Sequence, residues 1–129
     1  MPYLIYDYVN HHGQNEFKDW VSGLEKPQRG KLNEKLDKLA LYGDALYPEI
    51  LTDTRVSGIQ KVRCRGNVQL RPLLCRGPVS VKEEFTLLMG AKEIGDKWVP
   101  RDAPSIAKMR KEEVIKDPIN RRTKHERVL

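Results

Sequence analysis

The stretch Ile59-Gln60-Lys61-Val62-Arg63-Cys64-Arg65-Gly66-Asn67-Val68-Gln69-Leu70-Arg71-Pro72-Leu73-Leu74-Cys75 decides how this chain folds. Two strand-like segments, Ile59–Arg65 and Val68–Cys75, flank a Gly-Asn break. Lys61, Arg63 and Arg65 alternate with Val62 and Cys64, so the three cations share one face of a strand. A strict two-residue turn would set Arg71 opposite Val62, on the apolar face. A three-residue loop, 66–68, sets Arg63 opposite Arg71 and Cys64 opposite Leu70 instead. Burying a guanidinium without a partner costs several kcal/mol, more than any difference between turn types, so the longer loop is expected. Cys64, Leu70 and Leu74 then face the core. Cys64 and Cys75 fall on opposite faces and form no disulfide. Pro72, poorly tolerated in a central strand, marks a bulge.

Working outward, Tyr3–Val9 is rich in β-formers and reads as a first strand, broken by His11-His12-Gly13. Phe17, Trp20, Val21 and Leu24 form one stripe of a helix that ends near Lys26-Pro27. A second helix runs from about Gln28 to Tyr42, with Leu32, Leu36, Leu39 and Ala40 on one face and Gly43 as its stop. Residues 44–58 read as an irregular connection, Phe85–Ala91 as a further strand, and Ala103–Lys116 as a third helix. Asp102 is placed at the N-cap of that helix and Pro118 at its end. The order β-α-α-β-β-β-α predicts an α+β domain over residues 1–118, a mainly antiparallel sheet packed against helices. Residues 119–129 are expected as a basic, polar tail.

At 129 residues, 39% of them hydrophobic and 33% charged, the chain is large enough to hold a core without disulfides or metal. No apolar run approaches the roughly 18 residues needed to span a bilayer. The segment Met1–Asp7 lacks a basic region followed by a long apolar stretch. The expectation is a soluble, cytoplasmic protein with no membrane partner. Two cysteines without a secretion signal fit a reducing compartment. The adjacent His11-His12 and the remote His125 offer no zinc-ligand spacing, so neither metal nor cofactor is expected.

The net charge of +6 is uneven. Residues 1–50 carry 6 basic and 8 acidic side chains, and residues 51–129 carry 18 and 10. Lys61, Arg63, Arg65, Arg71 and Arg76 occupy a segment without an acid. Clustered positive charge points to a partner rich in phosphate or carboxylate. Like charges opposed on a bare sheet destabilise it, so an anion is expected among them. The plainer alternative is a solvated face neutralised by Glu83 and Glu84.

At these residues the chain resembles the RelE/ParE toxin superfamily, in particular its HigB-like, phage-associated branch. The resemblance is carried by Leu32-x3-Leu36-x2-Leu39 with Leu41-Tyr42-Gly43, by Gly58–Arg63, by Leu70-Arg71-Pro72-Leu73-Leu74, and by Leu87-Leu88-Met89-Gly90-Ala91-Lys92. It covers about residues 3–117 and implies a RelE-like fold. It also implies a type II toxin held inactive by a protein antitoxin, most members of which cleave mRNA in the ribosomal A site without metal. The family's functional basic residues fall on Lys61, Arg63, Arg71 and Lys92, expected here as catalytic. Arg65, Arg76, Lys97 and Arg101 are assigned to RNA contact. Glu93 departs from the family pattern, standing where a second lysine is common. The segment up to Pro100 is longer than usual, and its late aromatic is Trp98.

In metal-free RNA cleavage a 2′-OH attacks the neighbouring phosphate, and the developing dianion needs fixed cations. Arg71 and Arg63 would clamp phosphate oxygens, and Lys61 or Lys92 would act as general base. Two other readings use the same basic sheet: a ParE-like toxin that poisons DNA gyrase, and a module that binds nucleic acid without chemistry. The nuclease and binding readings both need Lys61, Arg63 and Arg71 to converge on one surface.

Overall fold

Strand β6 (Glu84–Met89) is buried along its whole length, which requires packed layers on both faces of the sheet that contains it. The structure, a computed structural model, describes residues 2–129 and supplies those layers from both ends of the chain. Around β6 the order is β1 (Leu4–Tyr8), α1 (Glu16–Ser22), α2 (Lys26–Tyr42), β2 (Leu51–Asp53), β3 (Gln60–Val62), β4 (Gln69–Leu70) and β5 (Leu73–Arg76). After β6 come β7 (Lys92–Ile94), β8 (Lys97–Val99), α3 (Ala103–Lys116), α4 (Pro118–Arg121) and β9 (Arg122–Lys124). The described residues form a six-stranded sheet in the order β2-β3-β5-β6-β1-β9 and a three-stranded sheet in the order β4-β7-β8. Strand β1 runs parallel to β6, and the other pairings are antiparallel. The molecule is α+β with a mixed, mostly antiparallel sheet. None of its helices is long and apolar enough to cross a membrane among the described residues.

Strand alternation divides the core in two. Val62, Cys64, Leu70, Leu74, Phe85 and Leu87 pack with Phe17 and Val21 of α1 and Leu32, Leu36 and Leu39 of α2. Ile59, Leu73, Cys75 and Leu88 pack on the other face with Ala103, Ala107 and Val114 of α3. Cys64 and Cys75 are both free, buried and on opposite faces, as the hairpin register requires. Burial pushes each thiol up to about 12, more than the lowering by neighbouring cations.

The predicted register holds: Cys64 bridges Leu70, and Lys61 and Gln60 pair with Leu73 and Leu74. Pro72 does more than bulge the second strand. It splits that strand into β4 and β5, which belong to different sheets, while the amide of Arg71 donates to the Ala91 carbonyl at 2.8 Å. Helix α2 begins two residues earlier than expected because Pro27 is tolerated in a first helical turn, where its missing N–H is not needed. Gly43 ends it at φ +46, and a Cβ there would lie 2.2 Å from the Tyr3 ring. Within the connection expected to be irregular, Leu51–Asp53 adds an edge strand that sends Leu51 into the core. Three residues are too few to show a period. Asp102 occupies the N-cap of α3 without a side-chain cap bond.

Residues 119–129 are not a loose tail. Pro118 opens a short helix, and β9 then extends the sheet beside β1. Arg122 lies 4.0 Å from the Tyr6 ring centre and 2.7 Å from the buried Glu84 carboxylate. His125 Nδ1 is 2.8 Å from Asp7 Oδ1, and the Asn15 amide donates to the other oxygen at 2.8 Å. Asp7 is 1% exposed. Polar composition hid these contacts because the segment docks through buried polar pairs, with Val128 as an apolar anchor.

Replacing His125 with Ala leaves a buried carboxylate short of one partner and is expected to cost about 2–3 kcal/mol in urea unfolding. Removing the half-exposed Arg127, which pairs with Asp37, should cost less than about 1 kcal/mol; equal losses would show that the Asp7 contact does not hold the segment. Both cysteines should resist a thiol reagent in the native protein and react on unfolding. Fast labelling of either native thiol would contradict its burial.

Candidate functional site

The β7–β8 hairpin turns at Gly95-Asp96, with Gly95 at φ +63 supplying the tight reversal. It pairs with β4, which places Glu93 opposite Gln69 at the end of the cationic hairpin. Glu93 Oε1 accepts from Lys61 Nζ at 2.6 Å and from Arg71 Nε at 3.0 Å. Both cations therefore meet at one carboxylate oxygen, and Oε2 accepts no hydrogen bond from the described residues. The Lys61 ammonium also lies 5.2 Å from the centre of the Trp98 ring on β8. A cavity of about 380 Å³ opens here, lined by Lys61, Glu93, Trp98, Asp53, Arg55 and Asp96 among others.

Arg71 is the most enclosed member, its side chain 9% exposed against 15% for Lys61. Its guanidinium also donates to the Leu70 carbonyl at 3.0 Å and to Gln69 Oε1 at 3.2 Å. Arg71 is thus a fixed cation with three internal partners, whereas Lys61 is open to the cavity. Burial raises the Glu93 pKa, but hydrogen bonds and charge from Lys61 and then Arg71 outweigh it, and the net direction is downward. Glu93 is a carboxylate at neutral pH.

The cationic face expected from the sequence divides at this point. Lys61 and Arg71 converge, but on Glu93. Arg63 turns to the sheet edge, donates to the Glu49 carbonyl at 3.3 Å and lines a separate cavity with Lys35 and Arg65. Lys92 precedes Glu93 on β7, alternates to the other face of the ribbon and makes no ion pair among the described residues. Arg76 pairs with Asp44 at 2.6 Å. Lys97 and Arg101 are exposed and remain outside the cluster. The neutralising acid is neither Glu83 nor Glu84: Glu84 is committed to Arg122 and to the amides of Val79 and Ser80.

Sequence reading missed Glu93, Arg55 and Trp98 as a group. Gly95-Asp96 between short alternating segments was the available signal for the hairpin that delivers two of them. Comparison with protein-family models, curated proteins and solved structures finds no match to this chain. Among the described residues no three His, Cys, Asp or Glu side chains are grouped as metal ligands.

Because the Glu93 pKa is lower in the folded chain, its stabilising effect is complete above its ordinary value near 4.5. That effect is lost as pH falls through the folded value. The stability gap between wild type and Glu93→Gln, measured by urea unfolding, should therefore be widest at neutral pH and close in acid. A gap independent of pH would place the effect elsewhere.

Proposed function

We propose that this protein is a toxin of the RelE/ParE type, a metal-independent endoribonuclease acting on mRNA at the ribosome. The three-cation surface expected from the sequence does not form, since Arg63 lies apart and Glu93 neutralises Lys61 and Arg71. The reading rests instead on the meeting of Lys61 and Arg71 at one oxygen of Glu93, beside Trp98. A carboxylate held by fixed cations next to an aromatic ring fits the needs of phosphodiester transesterification. The α+β fold with its mixed, mostly antiparallel sheet is compatible with this reading, although the strands number more than the β-α-α-β-β-β-α order expected.

In this mechanism Glu93 Oε2 takes the proton of the attacking 2′-OH as the new O2′–P bond forms. The P–O5′ bond breaks, leaving a 2′,3′-cyclic phosphate, and the 5′-oxygen takes a proton from solvent. Lys61, with Arg55 at the cavity rim, offsets the charge growing on the phosphate. Arg71 positions Glu93. An incoming phosphate draws Lys61 away from the carboxylate and adds negative charge beside it. Both changes raise the Glu93 pKa and make it a stronger base at the moment of need. Trp98 provides a stacking face for a base. So enclosed a pair of cations gives free RNA little to grip, hence the need for a ribosome to position the strand. A cognate antitoxin would hold the toxin inactive.

Glu93→Gln should lower ribosome-dependent cleavage by about 10²- to 10⁴-fold and relieve growth arrest on expression, while a chelator leaves the wild-type rate unchanged. Arrest and mRNA cleavage undiminished in Glu93→Gln would refute the assignment. DNA breaks with intact mRNA would move the reading to the gyrase-directed branch.

A further inference from the structure

We propose that Lys31, Lys35, Arg63 and Arg65 form a second anion-binding tract, separate from the Glu93 site, that holds the phosphate backbone of RNA. Lys31 and Lys35 are one helical turn apart on α2 and share a face. Arg63 and Arg65 follow β3 at the sheet edge. Lys35, Arg63 and Arg65 line one cavity of about 440 Å³ with Glu49 and Ile50. Arg65 also lines the next cavity, with Lys31 and the Gly66-Asn67 loop. The Lys31 ammonium reaches that loop, 3.2 Å from where a Cβ on Gly66 would stand.

Lys61, Arg71, Arg76, Arg110, Arg122 and Arg127 each have a carboxylate partner. Among the described residues Lys31, Lys35, Arg63 and Arg65 have none. Other cations, Arg55 and Lys92 among them, also lack a carboxylate partner there, and what sets these four apart is that they border adjoining cavities. Glu49 gives Arg63 its backbone carbonyl rather than its carboxylate, and Glu25 stands at the rim of the second cavity without an ion pair. Like charges one turn apart weaken a helix. Four unpaired cations from two elements therefore make a surface that an external polyanion stabilises.

The lining selects the occupant. No aromatic side chain borders either cavity, so bases have no stacking platform and the contact is with phosphates, independent of sequence. The first cavity has Ile50 as its single apolar wall residue. Of the apolar residues bordering the second, Cys64 and Leu70 are buried and Val68 packs against the core, leaving Pro27 exposed. The tract therefore gives a protein partner little of the anchor that dominates protein interfaces. The choice of RNA over DNA rests on the ribonuclease reading; the tract itself does not.

Fluorescence anisotropy with a labelled 20-nucleotide 2′-O-methyl RNA, which cannot be cleaved through its 2′-oxygen, tests the tract in the full chain. Lys31→Ala/Arg65→Ala changes two exposed side chains, and Lys35→Glu reverses a third charge; circular dichroism checks the fold of each. Each variant should bind at least about 10-fold more weakly at 50 mM salt. The double variant should lose about 1.4 from the log–log salt slope, roughly 0.7 for each phosphate contact removed. An undetectable wild-type complex, an unchanged slope, or oligoglutamate competing as well as RNA would each overturn the proposal, and single-stranded DNA of the same length bound as tightly would overturn the choice of RNA alone. Ribosome-dependent cleavage is read separately. Loss of binding in the tract variants with cleavage intact in Glu93→Gln would sink the nuclease reading and keep the tract. The converse would sink the tract alone.

Discussion

Arg71 brings a guanidinium into a region where its side chain is almost fully covered, and the protein must meet that charge internally. Glu93 does so, with Lys61 on the same oxygen. A buried charge left alone would cost several kcal/mol, so the β7–β8 hairpin that carries Glu93 is bound to the position of the cationic hairpin. Pro72 makes the arrangement possible by breaking the strand after Arg71. Gln69 and Leu70 can then pair with the small sheet while Leu73–Arg76 stays in the large one. One ion-paired cluster thereby joins two sheets and sets the chemistry of the cavity between them.

The same principle governs the C-terminus. Asp7 lies inside β1, and Glu84 begins the fully buried β6. His125 and Arg122, carried by the last segment, reach these two acids. A chain end of polar residues is drawn onto the sheet because the core contains carboxylates that need partners. Both ends of the sheet thus close over acids supplied by distant parts of the sequence.

Much of the fold was legible in local pattern. The stripes of α1 and α2, the strand at Tyr3–Val9 and the Cys64–Leu70 register follow from periodicity and from the cost of burying Arg71 on an apolar face, and helix Ala103–Lys116 from its boundary residues Asp102 and Pro118. The candidate site was legible only by half. Lys61 and Arg71 stood out as cations in an acid-free stretch, but alternation along an ideal strand also assigned Arg63 to them. Beyond Val62 the chain leaves the regular ladder, and Arg63 follows the edge toward α2. Glu93 looked like a departure from a basic pattern, since its role depends on a hairpin of three-residue strands too short to announce itself.

The amino-acid sequence alone therefore determined the apolar faces of the first two helices, the separation of the two cysteines and the location of the positive charge, because each depends on neighbours within a few residues or across one turn. Tertiary structure decided which charges are spent and which stay free. Pairing Lys61 and Arg71 with Glu93, and leaving Lys31, Lys35, Arg63 and Arg65 unpaired, depends on distances of a few ångströms between segments remote in the chain. At that range a carboxylate either neutralises a cation or leaves it for a ligand.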